Sequence, residues 1–512
     1  MNMTRFTVSL TLFVTFVVSS EMTQAQVFDP GPSDPALFST VINLPPDPDI
    51  GNRGSIDDGT QLNVFDGGAV GSLFAANSGI EVNVSGGSIG FRFDANGGSE
   101  VNMSAGNLST LAANDGSFVN ISGGCVSSRF RANDGSQVNI SGGAFTGAIF
   151  SAGSGSEVEL CGGNFCLNGE AFTGQTITLG EDDVFTGTLA DSSSFIFSGP
   201  AGDEFSEVSL REVLLPELDL AMLIVDSLVA EKPKGLGLGQ PVTLVDGGSL
   251  PGGFPVIDST LNVQGGTLGS SVETAGGVVN ISGGNVGPSL RAHLDSEVNV
   301  SGGTLGDGPL GFGFALVADS GSVVNVSGGT VYGLQAESGS VVNISGGTVD
   351  IGIQFAIGSV GLSAESGSEV NISGGTVTGF GFTANEGSTV NITGTQFVLN
   401  GELLDALVVG ESFTITEPVE TLDGVLADGS PFSFGLDEFG FSSTFSPGAT
   451  ITVTLSSLLG DVSGDGVVDF LDIGPFVALL SAGDFQFEAD IDSSGVVDFL
   501  DVGPFIRILS EQ

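Results

Sequence analysis

Residues 339–349 read GSVVNISGGTV: Val342 and Ile344 are apolar, Asn343 and Ser345 polar, and a Gly-Gly pair precedes Thr348 and Val349. The same alternation returns at residue 367 as GSEVNISGGTV and at residue 116 as GSFVNISGGCV. Each apolar-polar piece is three to five residues of period two bounded by Gly, which predicts short strands. The central Asn falls at Asn63, Asn83, Asn102, Asn120 and Asn139, with Glu159 once in its place. It resumes at Asn262, Asn280, Asn299, Asn325, Asn343, Asn371 and Asn391. Steps are 18 to 20 residues, except two of 26 and 28 that read as insertions into a turn. A second marker keeps register: an Ala stands seven residues before the central position in ten copies, Ala336 and Ala364 among them.

One such unit cannot bury its apolar face alone, but stacked units can. The pattern therefore predicts an all-β chain built as a parallel β-solenoid. Each coil has three short strands and three turns, coils rise by about 4.8 Å, and a right-handed sense is favoured. With the aliphatics inside, Asn and Ser face outward, and stacked Asn amides bond along the solenoid and fix its register. Most of these Asn also form N-x-S/T sequons, and the ladder is the preferred reading of them. The Gly-Gly pair supplies a corner able to take positive φ.

Two non-repeating segments resemble each other. LNGEAFTGQTITL and GTLADSSSFIF follow the first array; LNGELLDALVVGESFTI and GVLADGSPFSF follow the second. A solenoid end is an unpaired strand edge, so these read as β-rich caps. The expected organisation is a leader at 1–25, a lead-in at 26–54, a first array at 55–166 with its cap at 167–230, and a join at 231–240 holding both lysines. A second array at 241–398, its cap at 399–458 and a tail at 459–512 complete it. The leader reading rests on Arg5, the apolar run TVSLTLFVTFVV and small residues Thr23 and Ala25; it predicts export to the cell surface or beyond. No later stretch is long and apolar enough to span a bilayer.

In the tail, DVSGDGVVDFLD begins at Asp461 and DIDSSGVVDFLD at Asp490. Both fit a 12-residue calcium loop with oxygen ligands at positions 1, 3, 5, 9 and 12, Gly at 6 and a backbone carbonyl at 7. One ion is assigned to Asp461, Ser463, Asp465, Asp469, Asp472 and the carbonyl of Val467. A second is assigned to Asp490, Asp492, Ser494, Asp498, Asp501 and the carbonyl of Val496. Each loop runs into one short helix, IGPFVALLS or VGPFIRILS. Positions 10 and 11 are Phe470-Leu471 and Phe499-Leu500. Two readings of them stand open, an apolar docking face or the core of the small module.

These features carry a resemblance. The VNISGGTV coils resemble the repeats of parallel β-helix proteins, the pectate-lyase-like fold and adhesin passengers, and look closest to repetitive secreted proteins of planctomycete-type bacteria. The paired loop–helix units, 29 residues apart, resemble a type I dockerin. That resemblance implies a cohesin-like partner for residues 459–512, read in part by positions 10 and 11. Asp at position 12 differs from the Glu of most EF-hands, and the departures from the dockerin pattern are Ser463 at position 3 of the first loop and Ser494 at position 5 of the second.

Charge narrows the function classes. Asp and Glu number 60 against 10 Lys and Arg, a net charge of −50, which repels nucleic acid and anionic membranes. The 40% apolar content and 38 Phe argue against disorder. Catalytic signals are sparse. The one histidine, His293, lies in RAHLDSE and reads as a solvated turn residue. Arg92, Arg129, Arg131 and Arg291 are candidate bases for a lyase but read as solvated surface. There is no Trp and only Tyr332 to stack on sugars. Cys161 and Cys166 flank GGNF, so a local disulfide is one option and a pairing with Cys125 another. The sequence favours a non-catalytic structural or adhesin-like solenoid with a calcium-dependent docking tail. The alternative is a β-helix polysaccharide hydrolase or lyase delivered by a dockerin–cohesin interaction, with extracellular polysaccharide as ligand. An active site normally breaks a repeat at one place; the only candidates, Gly306–Phe314 and Asp350–Gly361, are mostly Gly and apolar, which favours the non-catalytic reading.

Overall fold

A computed structural model describes residues 40–511 except 57–58, 146–148, 181, 199–206, 216–221, 229–234, 238, 307–313, 351–360, 378–381, 405–406, 416–420, 437, 440–441, 444, 458, 465–467, 485 and 492–495. The leader lies outside the described residues. The chain is 56% strand and 6% helix and forms a parallel β-solenoid of about 16 turns.

One coil shows why. Val342, Ile344 and Val349 are buried, as are Leu334 and Ala336 from the coil's other strand, while Ser345 is exposed and Asn343 half-buried. Each fully buried Val, Ile or Leu side chain contributes about 1.5–3 kcal/mol. Strand Val341–Asp350 pairs in parallel with Val323–Tyr332 before it and Glu369–Val377 after it, so Asn343 faces Asn325 and Asn371. Leu334–Ala336 pairs with Leu316–Ala318 and Leu362–Ala364 in a second sheet. Between the two strands Gly339 takes φ +78, and Ser340 turns inward, donating from both N and Oγ to the Glu337 carbonyl at 3.1 and 2.6 Å.

The sequence pattern divides each coil at Gly-Gly. The structure instead keeps one strand running through that corner, with a register shift at Ser345. Gly347, at φ +75, lets the strand bend without abandoning the ladder.

The central Asn side chains form two continuous ladders, one in each stack, and a further ladder joins Asn77, Asn96, Asn114 and Asn133 in the turns of the first. In the first stack each Nδ2 donates to the Oδ1 one coil earlier at 2.8–3.2 Å, from Asn43 through Asn139. Glu159 takes the next place; a carboxylate has no N–H to donate, and it pairs instead with Arg211 Nε at 3.1 Å. In the second stack the ladder runs from Asn262 through Asn391 at 2.8–3.0 Å. It crosses both long steps, Asn299 to Asn325 and Asn343 to Asn371, without a gap.

The stacks extend beyond the arrays expected from sequence. Thr40–Leu44, inside the lead-in, pairs in parallel with Thr60–Val64. Leu223–Val225, inside the segment read as the first cap, pairs with Val242–Leu244, which has Thr243 at the Asn position. These coils lack the VNISGG phrase, so only pairing reveals them.

Both stacks end in the same device. An antiparallel hairpin lies on the last coil: Val184–Leu189 with Ser194–Ser198 on Glu157–Leu167, and Thr421–Leu426 with Pro431–Gly435 on Thr389–Leu399. A further strand, Val208–Glu212 or Thr450–Leu455, continues the parallel pairing. The repeated LAD and LNG motifs fasten it. Asp191 Oδ2 accepts from Gly143 N at 3.1 Å, and Asp428 Oδ2 from Gly375 N at 2.7 Å. Asn168 Oδ1 accepts from Val184 N, and Asn400 Oδ1 from Thr421 N. Phenylalanines seal the ends: Phe197 stacks on Phe150 at 4.8 Å, and Phe434 packs on Phe382 at 5.5 Å.

The outer sides of the two hairpins differ. Val184 and Ile196 are buried against Ile257 and Ala275 of the second stack. Their counterparts in the second hairpin are Thr421 and Ser433, and Ser433 is exposed. Apolar residues are thus found where the next stack covers the hairpin, and polar ones where it faces water.

Candidate functional site

The tail holds helices α1 (Ile473–Ala482) and α2 (Phe499–Glu511). Phe476 and Phe505, at equivalent places in the two units, stack with ring centroids 4.2 Å apart. Val462, Ala489 and Val497 complete this small core. Gly483, in the left-handed conformation, ends α1 by donating to the Leu479 carbonyl.

Packing the two halves together buries carboxylates. Asp461, Asp472, Asp490 and Asp501 are each at most 5% exposed. Asp472 Oδ1 accepts from Ser463 N and Oδ2 from Asp469 N, both at 2.7 Å. Asp501 Oδ2 accepts from Asp498 N at 2.8 Å. Asp461 Oδ1 accepts from Gly464 N at 2.8 Å and from Ser463 Oγ at 3.3 Å. Asp469 and Asp498 each accept from the backbone two residues on, from Leu471 N and Leu500 N. Arg507 is the only basic residue between 459 and 512. Burying a carboxylate is costly without a compensating cation, and every donor in the set is a hard oxygen of the kind calcium takes. Each Asp472 oxygen retains a lone pair beyond its amide bond. On these grounds the residues fit calcium. Of the assigned ligands, Asp465, Val467, Asp492 and Ser494 lie outside the described residues, and among the described residues no three carboxylate, His or Cys groups close on one metal position.

The structure excludes one of the two readings of positions 10 and 11, the core of the module. Phe470 is 81% exposed, Leu471 65%, Phe499 83% and Leu500 69%. They are not core. Ile473, Val477, Val496 and Ile506 are also exposed, so the tail carries an apolar surface beyond those four residues.

The candidate catalytic residues fare differently. His293 is 2% exposed, at the end of strand Leu290–His293, and is not the solvated turn residue expected. The strand runs one residue past the Ala marker, so His293 pairs with Ala275 of the preceding coil, itself buried against the hairpin of the first stack. Nδ1 meets Asp319 Oδ2 at 2.7 Å, and Nε2 lies 3.9 Å from Glu273 Oε2 with no hydrogen-bond partner among the described residues. Arg291 Nη1 also reaches Asp319, at 3.4 Å. The Ser296 hydroxyl donates to the His293 carbonyl and not to its ring. The imidazole therefore sits between two carboxylates, which is not the base–nucleophile arrangement of a triad. Sequence offered one signal: Glu273, Arg291 and His293 lie on adjacent coils, with Glu273 opposite Arg291.

Burial pushes the Glu273 carboxyl above its ordinary 4.5, against the opposing pull of His293 and Arg291. The folded chain then holds this proton more tightly than the unfolded chain. The contribution is complete below the ordinary value and is lost as pH rises through the raised one. Glu273→Gln will accordingly flatten the pH dependence of stability above pH 4.5, by up to about 1.4 kcal/mol per pH unit. Urea midpoints at pH 5 and 7 check this, and identical slopes in the two chains would contradict it.

Arg92 pairs with Asp94 at 3.2 Å. Arg92, Arg129 and Arg131 share one groove of the first stack. All three cysteines are thiols; Cys161 is pushed up to about 11 by burial and by a hydrogen bond to Glu159. The interiors of the two long steps, 307–313 and 351–360, lie outside the described residues. Among the described residues no helix is long and apolar enough to cross a membrane.

The chain matches no protein-family model, no curated protein and no solved structure.

Proposed function

We propose that this is a non-catalytic structural protein of the cell surface or extracellular medium. Its solenoid is a rigid acidic spacer, and its tail is a calcium-dependent docking module of dockerin-like type. The observation that carries the reading is the division within the tail: four aspartates buried, four large apolar side chains at loop positions 10 and 11 left in water. A module that needed those phenylalanines for its own core would bury them.

Asp461, Ser463, Asp465, Val467, Asp469 and Asp472 would hold one calcium ion, and Asp490, Asp492, Ser494, Val496, Asp498 and Asp501 the other. Bound calcium would supply the positive charge that the tail's own residues lack. The protein's residues do the rest. Asp472 ties the start of its loop to its end through Ser463 N and Asp469 N. The Phe476–Phe505 stack sets the two loops against one another. The exposed pairs then stand ready for a cohesin-like partner.

The test uses the full chain on an inert support, exposed to envelope and secreted proteins of the cells that make it. A cohesin-like protein retained in calcium, released by EGTA and not retained by Phe470→Asp/Phe499→Asp supports docking. No calcium-dependent retention, or retention unaffected by the double substitution, overturns it.

A further inference from the structure

The outer wall of the first stack holds a groove of about 470 Å³, within the usual size of small-molecule sites. Its cause is a column of short side chains. Strand pairing sets Thr110 against Arg129 and Ala112 against Arg131, and on the other side Ala112 against Asp94. Thr110 and Ala112 form the floor; the coils either side raise Arg92 and Asp94 on one rim, Arg129 and Arg131 on the other. The rims stand two strand spacings apart, about 10 Å. Inward residues of the same coils, Leu111, Ala113, Phe130 and Ala132, are buried in the core, so the groove lies wholly on the outward face.

Its charge runs against that of the molecule. Three of the ten basic residues in a chain of net charge −50 line this groove, against one carboxylate, Asp94, which Arg92 Nε meets at 3.2 Å. Guanidinium groups recognise planar or tetrahedral oxyanions by paired hydrogen bonds. Phe91, beside Arg92, is 57% exposed and offers an apolar face at the rim. Ser128 adds a hydroxyl suited to sugar hydroxyls, and Asn114 and Asn133, each donating one amide N–H along its own ladder, keep a second N–H. The Thr110 hydroxyl has no hydrogen-bond partner among the described residues. A long polyanion would meet the repulsion of the surrounding acidic surface, whereas a short one meets only the groove.

We infer that this groove binds a short acidic oligosaccharide, with carboxylate or sulfate groups held by Arg129 and Arg131 on one rim and Arg92 on the other. The site is independent of the calcium tail. It involves no bond making.

The experiment is calorimetric titration of the full chain, at fixed calcium and low ionic strength, with a trigalacturonate, a sulfated disaccharide and a neutral trisaccharide. Saturable one-site binding of at least one acidic sugar is expected, with none of the neutral one. Arg129→Gln/Arg131→Gln should weaken it tenfold or more, and Ala112→Leu, which fills the floor from the outward face, should abolish it. The arginine variant adds no bulk, so it stands as the test if the Ala112→Leu chain fails to fold. Binding of the uronate alone or of the sulfate alone identifies the anion. Absence of saturable acidic-sugar binding, equal binding of the neutral sugar, or binding unchanged in the arginine variant overturns the inference.

Discussion

Gly347→Val will break the second stack at its middle, at a cost of about 4 kcal/mol. Gly347 lies at φ +75, and a Cβ there would stand 2.7 Å from the backbone of Gly328 in the coil below. A β-branched residue is the worst choice for that conformation. The coil above presses equally close, since a Cβ on Gly375 would fall 2.6 Å from Gly346. Neither neighbour can move, because each is held by its own coil. In a stack each coil contacts only its neighbours, so one broken corner divides the second stack. Ser345→Ala, two residues away on the exposed face, should change stability by less than about 0.5 kcal/mol. Urea unfolding of both variants, with protease mapping of the cut site, checks this; a Gly347→Val chain that unfolds like the parent would refute the corner's role.

Removing calcium will open the tail and leave the solenoid standing. The tail's core is five buried residues, led by Phe476 and Phe505, and domains this small usually need a metal or a staple. Each site adds about 2.7 kcal/mol when free calcium is a hundred times its dissociation constant. Without the ion, the buried Asp472 and Asp501 oppose folding instead. Limited proteolysis in EGTA should therefore cut within 459–512 and spare the two stacks, while calcium protects the whole chain. Asp472→Ala or Asp501→Ala should leave the tail cleavable even in calcium. A digestion pattern indifferent to calcium would contradict the assignment.

The solenoid was legible because its period is written in residues that can do only one thing there. Alternating Val and Ile around Asn343 fixes which face is inside, and a positive-φ corner requires Gly. Coils that use other residues for the same geometry were hidden: Thr40–Leu44 has no Gly-Gly, and Val242–Leu244 has Thr243 for Asn. The burial of His293 was hidden for another reason: its strand runs one residue past the Ala marker, and the carboxylates that flank its ring, Glu273 and Asp319, come from the neighbouring coils. Phe470 and Phe499 were ambiguous because a core and a docking face both call for apolar side chains; only exposure separates them. The groove left a signal in the spacing, since Arg92 and Arg129 both lie ten residues before their Asn. Aligning coils on the Ala marker sets Arg92, Thr110 and Arg129 in one column, three residues before Ala95, Ala113 and Ala132. Side-chain length within that column, not residue type in any one coil, makes the cavity.

The most direct test of the central claim is a calorimetric calcium titration of the full chain. Two ions should bind well ahead of any weak uptake by surface acids, with one lost in Asp472→Ala and the other in Asp501→Ala. A titration with no such phase, or one that both variants leave intact, would contradict it.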